Sequence, residues 1–320
     1  MEKTPGKGKL FVVIGLILSA SLLAFFGFRF FAGSKTNVQN ETFNHSISSA
    51  QAFILPLSQA TYMPMRDFGV DDLSLGAKAA GLYDVRSERF LFSKNIDLVL
   101  PIASITKLML AVVIMENLPL SEVYSVAAED INVDGKGADL DKGEEIIGSD
   151  LFKILLIKSS NDAALVFERN TKRGGVNLVA KMNNKAKMIG MTQTKFADTA
   201  GLDDAGTFST ISDLVKLVRY VGKYPVIWEI LKTKSLDVRS INGGTHHLIN
   251  TNQLLDKIPG VIGGKTGFTD GACETMVLEV YHNQNRDMLI SVILGSLNRF
   301  AETARLIEWG KNAYKWSEQE

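Results

Sequence analysis

The chain holds a single cysteine, Cys273, in 320 residues. No intrachain disulfide can form, and Cys273 lies too far from the N-terminal segment to serve as a lipid-attachment site there. Its surroundings read as a strand, where a lone cysteine is expected to be a small buried residue. Histidine is equally scarce: His45, His246, His247 and His282 are all the chain has. Adjacent histidines would point in different directions in a strand, and His246–His247 are read as a loop pair without a ligand role. Neither a metal nor a cofactor is expected. An excess of charge of one sign is also missing. Lys+Arg and Asp+Glu both total 35, which speaks against a nucleic-acid partner. No internal repeat is found.

Apolar residues are plentiful. They make up 46% of the chain, enough for the core of one large or two modest domains. The charges are unevenly spread, with residues 1–35 at net +4. That basic end leads into "LFVVIGLILSASLLAFFGF", residues 10–28, nineteen residues without a charge. At about 1.5 Å per residue such a helix nearly crosses a ~30 Å hydrocarbon core. The lysines before it predict a cytoplasmic N-terminus and an exported remainder. A cleavable signal peptide is the alternative. Its apolar run spans only about 7–15 residues with a small-x-small site close behind, whereas the best such site here, Ala50–Gln51–Ala52, lies far downstream. The expected organisation is a cytoplasmic stub and transmembrane anchor over 1–33, a tether over 34–75 and a folded domain over 76–320.

Within that domain, residues 76–92 read as a β-hairpin with a polar turn at Arg86–Glu88. Residues 104–117 form an apolar run with no polar face, the pattern of a buried helix. From about 149 to 232 the pattern is mostly helical, punctuated by Gly190 and Pro225. Strands return with "SLDVRSI", "CETMVLEVYH" and "DMLISVILGS", the last two flanking a turn at "NQNR". A final helix is expected over "RFAETARLIEWGKNAYKW". The fold class is therefore α/β (α+β): one antiparallel sheet joining the first hairpin to the later strands, flanked by helices, with an all-helical lobe beside it. The last helix is expected to cover one face of the sheet and the buried helix the other, leaving a cleft where lobe and sheet meet.

Three short motifs can carry chemistry. Ser104 and Lys107 stand one helical turn apart, on one face. A serine hydroxyl is a poor nucleophile until a base takes its proton, and a lysine can be that base if burial or a neighbouring cation lowers its pKa. An N-cap serine beside a snorkelling lysine is the bland alternative, but this is the only Ser-x-x-Lys in the chain, and the helix after it is unusually apolar. In Ser159–Ser160–Asn161 a hydroxyl could relay a proton and an amide could hold a carbonyl. Alone it is weak, since Ser-x-Asn recurs at Ser93, Ser240 and Ser296, and a helix cap explains it equally well. Lys265–Thr266–Gly267 lies in "GVIGGKTGFTDGA", whose glycines allow a strand to approach a ligand closely. A phosphate-loop reading fails because Gly260 is one residue too near the Gly264–Lys265 pair and a strand follows.

Together and in this order, the three motifs resemble the active-site set of the penicillin-recognising serine enzymes. The blocks "VLPIASITKLMLAVVIME", "LIKSSNDAA", "FADTAGLDDAGTFSTISDLVKLVRYV", "LINTNQLL", "PGVIGGKTGFTDGA" and "RLIEWG" are similar to successive blocks of the low-molecular-mass D-alanyl-D-alanine carboxypeptidases, over about residues 76–317. The resemblance implies a serine β-lactamase/DD-peptidase-like fold and a bacterial cell-membrane protein whose catalytic domain is extracytoplasmic. The implied substrate is a peptidoglycan stem peptide ending in D-Ala-D-Ala, with β-lactam antibiotics as covalent inhibitors. By match, Ser104 is the nucleophile, Lys107 the acylation base, Ser159 a proton shuttle and Asn161 an orienter of the substrate amide. Lys265 would depress the pKa of Lys107 and, with Thr266, draw in the terminal carboxylate. Gly267 lets the strand close in, and the N–H groups of Ser104 and Phe268 would form the oxyanion hole. Arg299 matches an arginine near that carboxylate, a surface arginine being the alternative.

Departures exist. Phe268 stands where some relatives have histidine, and Glu274 where many have a neutral residue. Many relatives continue past "LIEWG" into a β-rich domain that ends in a membrane-surface helix; here anchoring is expected at the N-terminus. The nearest rival activities are a D,D-endopeptidase on peptide crosslinks and, less favoured, a serine β-lactamase. The latter needs a glutamate-activated water, and Glu168, near Asn161, reads as a surface residue. A non-catalytic binding protein on the same fold is a third possibility.

Overall fold

A computed structural model describes residues 63–131, 140–203, 206–283 and 286–316. The expected membrane anchor, and most of the expected tether, lie outside the described residues. The core is a five-stranded sheet built from β1 (Ala79–Asp84), β2 (Arg89–Lys94), β3 (Val261–Thr269), β4 (Cys273–Tyr281) and β5 (Met288–Ser296). Its spatial order is β3-β4-β5-β1-β2, antiparallel throughout. The first hairpin is therefore added to the far side of the late meander. All six residues of β1 are buried, as a strand covered on both faces requires.

One face is covered by α7 (Arg299–Ala313), whose Leu306 and Ile307 pack with Leu82, Met276, Leu278 and Ile293. The other face is covered by α5 (Ile211–Val221), lying on β5 and β1, and by α6 (Pro225–Lys232), lying on β3. The apolar helix α1 (Thr106–Asn117), expected on that face, sits a layer deeper. It packs against α2 (Gly148–Ile157), α4 (Leu178–Met188) and α5. Every residue from Thr106 to Ile114 is buried. A helix that is apolar all round needs neighbours all round, and a sheet supplies only one side.

Three further expectations are corrected. Ser235–Arg239 pairs with Thr245–Ile249 as a separate two-stranded sheet rather than joining the main one. Its alternating burial gives it a single apolar side, with Val238 and Leu248 in the helical-lobe core. The final helix stops at Ala313, and Tyr314–Trp316 forms a strand against Pro64–Arg66, so residues assigned to the tether belong to the domain. Cys273 is half-buried, not buried, and opens β4 at φ 56° where the tight β3–β4 turn ends.

Candidate active site

The site lies where the turn before α1 meets the edge strand β3. A short 3-10 turn, Ala103–Ile105, runs straight into α1. Ala103 has φ 47°, a left-handed conformation that costs a non-glycine residue about 1 kcal/mol or more and clusters at functional sites. Ser104, next in the chain, is half-buried and so reachable from solvent. Two glycines allow the close approach. A Cβ on Gly267 would lie 2.9 Å from the Ser104 backbone N, and one on Gly201, at φ 82°, would run into the Ala103 carbonyl.

Lys107 has no solvent exposure. Its Nζ lies 2.9 Å from Ser104 Oγ, 2.7 Å from Asn161 Oδ1 and 2.7 Å from the Ala200 carbonyl. Burial pushes the amine down to about 7, against the opposing pull of the Asp198 and Asp162 carboxylates. Exclusion of water therefore accounts for the depression. Lys265 stands on the edge strand β3. Its buried Nζ donates to Ser159 Oγ at 2.6 Å and to the Thr266 carbonyl at 2.8 Å.

The helix α3 (Asn161–Arg173) delivers the second motif, and the helix-cap reading of that motif holds for Ser160. Ser160 Oγ accepts from the Ala163 N–H at 3.0 Å as the N-cap. Ser159, at φ 60°, is turned toward Lys265 instead. Thr266 Oγ1 donates to Thr251 Oγ1 at 2.6 Å. Arg299 is buried rather than on the surface, and its Nη1 donates to the Gly267 carbonyl at 2.8 Å. Burial lowers the Arg299 pKa and the Glu274 carboxylate works against this. Glu274 also acquires a clear structural job: its Oε2 accepts from the Arg299 backbone N at 2.8 Å, placing a negative charge at the N-terminus of α7. Phe268 stands 58% exposed.

The nine predicted residues, eight side chains and Gly267, thus fall along one lobe–sheet junction. Sequence reasoning missed the Ala200 carbonyl, Asp198 and Thr251. A backbone acceptor has no residue signature; only the block "FADTAGLDDAG" marked its neighbourhood. Glu168, read as a surface side chain, is half-buried and accepts from Thr199 Oγ1 at 2.7 Å. Among the described residues no group of three or more His, Cys, Asp or Glu side chains could hold a metal ion. His246 and His247 lie in the strand Thr245–Ile249 rather than in a loop, and point apart: buried His246 meets Glu144 at 2.5 Å and exposed His247 meets Asp237 at 2.6 Å.

A serine beside a buried amine, with a second lysine held on a second serine, on an antiparallel sheet flanked by a helical lobe, defines a penicillin-recognising serine hydrolase. The chain belongs to the D-alanyl-D-alanine carboxypeptidase family of serine peptidases, whose model matches residues 67–298. It is 33% identical over 241 residues to a D-alanyl-D-alanine endopeptidase of Pseudomonas aeruginosa, covering 73% of this chain and 77% of that one. It is 32% identical over 235 residues to the carboxypeptidase DacB2 of Mycobacterium tuberculosis, covering 71% and 79%. Among solved structures, it resembles penicillin-binding protein D2 of Listeria monocytogenes in its ampicillin-bound form, with TM-score 0.66 and 31% identity over 75% of this chain and 99% of that one.

Proposed function

We propose that this protein is a serine-type D-alanyl-D-alanine carboxypeptidase that trims peptidoglycan stem peptides through an acyl-enzyme on Ser104. One observation carries the reading. Asn161 Oδ1 and the Ala200 carbonyl are acceptors only, and both lie 2.7 Å from Lys107 Nζ. A neutral amine has two N–H donors and one lone pair. With both donors taken, the lone pair is left for the third neighbour, the Ser104 hydroxyl. An amine brought down to about 7 by burial can hold that form near neutrality.

The steps follow. Lys107 takes the Ser104 proton as the serine oxygen bonds to the penultimate D-Ala carbonyl carbon. The N–H groups of Ser104 and Phe268 receive the developing oxyanion, a term worth ~3 kcal/mol per donor. The proton passes by way of Ser159 to the leaving nitrogen, the C–N bond breaks, and D-alanine departs. Water then adds to the ester carbonyl carbon, Lys107 takes its proton and passes it to the Ser104 oxygen as the C–O bond breaks, and the shortened peptide leaves as its carboxylate. Asn161 orients the substrate amide. Lys265, Thr266 and Arg299 hold the terminal carboxylate. β-lactams, as cyclic amides, acylate the same serine.

The test is covalent labelling of the purified protein with a fluorescent penicillin. A stable adduct, absent in Ser104→Ala, is expected. No adduct would favour a non-catalytic binding module, and rapid turnover a β-lactamase. A second reading, D,D-endopeptidase, is favoured by the Pseudomonas relative's name. Release of D-alanine from a D-Ala-D-Ala peptide, set against cleavage of a crosslinked dimer, separates the two. Residues 10–28 serve, in this reading, as an uncleaved anchor that holds the domain outside the bacterial cytoplasmic membrane, supported by their uncharged run behind a basic start. N-terminal sequencing of the membrane-bound protein tests it: a start after Ala52 would overturn the anchor.

A further inference from the structure

Glu168 has no part in the steps above, yet it is bonded to the loop that supplies one of them. Asn161 and Glu168 are seven residues apart on α3, close to two helical turns, and so share a face. Asn161 meets Lys107 Nζ at 2.7 Å, and Glu168 Oε2 accepts from Thr199 Oγ1 at 2.7 Å. Thr199 has no solvent exposure, and the carbonyl of the next residue, Ala200, meets Lys107 Nζ at 2.7 Å. The same loop is tied from within by Asp198, whose Oδ1 accepts from the backbone N of Ala200 at 2.6 Å and of Gly201, and whose Oδ2 accepts from Thr207 Oγ1 at 3.1 Å. Asp198 shapes the loop. The Glu168–Thr199 bond is what joins it, side chain to side chain, to the helix that carries Asn161.

We propose that Glu168 is a positioning residue: through Thr199 it seats the Ala200 carbonyl on Lys107 Nζ and keeps water away from the amine. The inference rests on Lys107 being the base for Ser104.

The charges that Lys107 feels are the carboxylates of Asp198 and Asp162, with Lys265 held on Ser159, two residues before Asn161. On the helices around α1, Asp150 pairs with Lys153 at 2.7 Å, Glu116 with Lys185 at 2.7 Å and Asp213 with Lys216 at 2.8 Å, and Arg219 pairs with Glu88. Releasing the loop has two opposed effects on the amine. Losing a carbonyl acceptor disfavours the ammonium, whereas admitting water favours it. Burial is the largest influence on Lys107, so the net movement is upward, and less neutral amine is present at pH 7.

The experiment is the rate of fluorescent-penicillin acylation of the full chain from pH 5 to pH 10, for wild type, Glu168→Ala, Glu168→Gln, Thr199→Val and Thr199→Ser. Wild type should show a limb rising through about pH 7. In Glu168→Ala and Thr199→Val the limb should move up by about one unit, giving about fivefold slower acylation at pH 7 and recovery near pH 9. Glu168→Gln, whose amide oxygen still accepts from Thr199, and Thr199→Ser, which still donates, should keep the wild-type limb. An unmoved limb in Thr199→Val, with melting near wild type, overturns the proposal. So does a Glu168→Gln enzyme that acylates normally but releases its adduct several-fold more slowly than wild type, since Glu168 would then act on the deacylating water directly. If Glu168→Ala does not fold, the Thr199 pair decides, because it differs by one methyl and one hydroxyl. A wild type without any adduct overturns the carboxypeptidase reading and this inference with it.

Discussion

A fully buried lysine is costly unless it can shed its charge, and Lys107 is surrounded in a way that lets it. The acceptors at Asn161 and Ala200 hold two hydrogens, and burial sets the amine near 7. As a base works when unprotonated, acylation should rise with pH through about 7 and level above it, measured as pseudo-first-order penicillin labelling. Lys107→Arg should lose at least about 10²-fold at every pH, because a guanidinium does not deprotonate. Glu274 makes a separate prediction. Its carboxylate lies beside Arg299, the group proposed to meet the substrate carboxylate. Glu274→Gln keeps an acceptor for the Arg299 N–H and removes a repelling charge, so KM for a D-Ala-D-Ala peptide should fall several-fold with kcat little changed. Both predictions begin from residues visible in the sequence. Ser104, Lys107, Ser159, Asn161 and Lys265 were legible because three short motifs, each open to a bland reading by itself, together and in that order resemble the active-site set of the penicillin-recognising serine enzymes. The acceptor at Ala200 was not, because any residue supplies a carbonyl and only folding decides where it points.

At the scale of elements, periodicity located most helices and strands, since a run such as Thr106–Ile114 cannot be anything but interior. It could not say which layer of the interior, because burial on all sides gives no direction. Strand alternation was similarly blind to partners, and Ser235–Arg239 found the neighbouring hairpin arm rather than the main sheet. One strand residue breaks its pattern altogether. Glu279, toward the C-terminal end of β4, is buried between Gly263 and Ile290 in register, and burial pushes its carboxyl up to about 7 from 4.5. Its folded pKa is thus raised, so the folded state holds a proton that the unfolded chain has released. Stability should fall as pH rises from about 4.5 through about 7 and stay flat above. Glu279→Gln should remove that slope and stabilise the protein at pH 8 by up to about 3 kcal/mol, read from urea unfolding at pH 5 and pH 8. Equal gains at both values would show that the side chain does not titrate in this range.

Across the whole molecule, the first and last described segments hold one another. Pro64–Arg66 pairs with Tyr314–Trp316, and the Asp67 N–H donates to the Ala313 carbonyl at 2.8 Å. The Arg66 guanidinium lies 5.1 Å over the Trp309 ring and 6.0 Å over that of Tyr314, while Trp309 Nε1 donates to the Asp71 carbonyl at 2.9 Å. These contacts run along α7, the helix that starts at Arg299. A three-residue strand whose partner lies some 250 residues away leaves no local pattern, which is why the polar stretch before residue 76 read as tether. The closure sits at the far end of α7 from Arg299, with Glu302 in between bonded to the backbone of Gly76 and Ala77. A chain beginning at Leu73 should therefore lose stability without losing the site. Removing the short strand pair and the arginine stack is worth roughly 2–3 kcal/mol, or a Tm lower by about 5–10 °C for a domain of this size. Penicillin labelling at 20 °C should stay within about twofold of the full chain. Loss of labelling in a truncated protein that still melts cooperatively would mean that the paired ends, and not only Glu302, hold Arg299 in place.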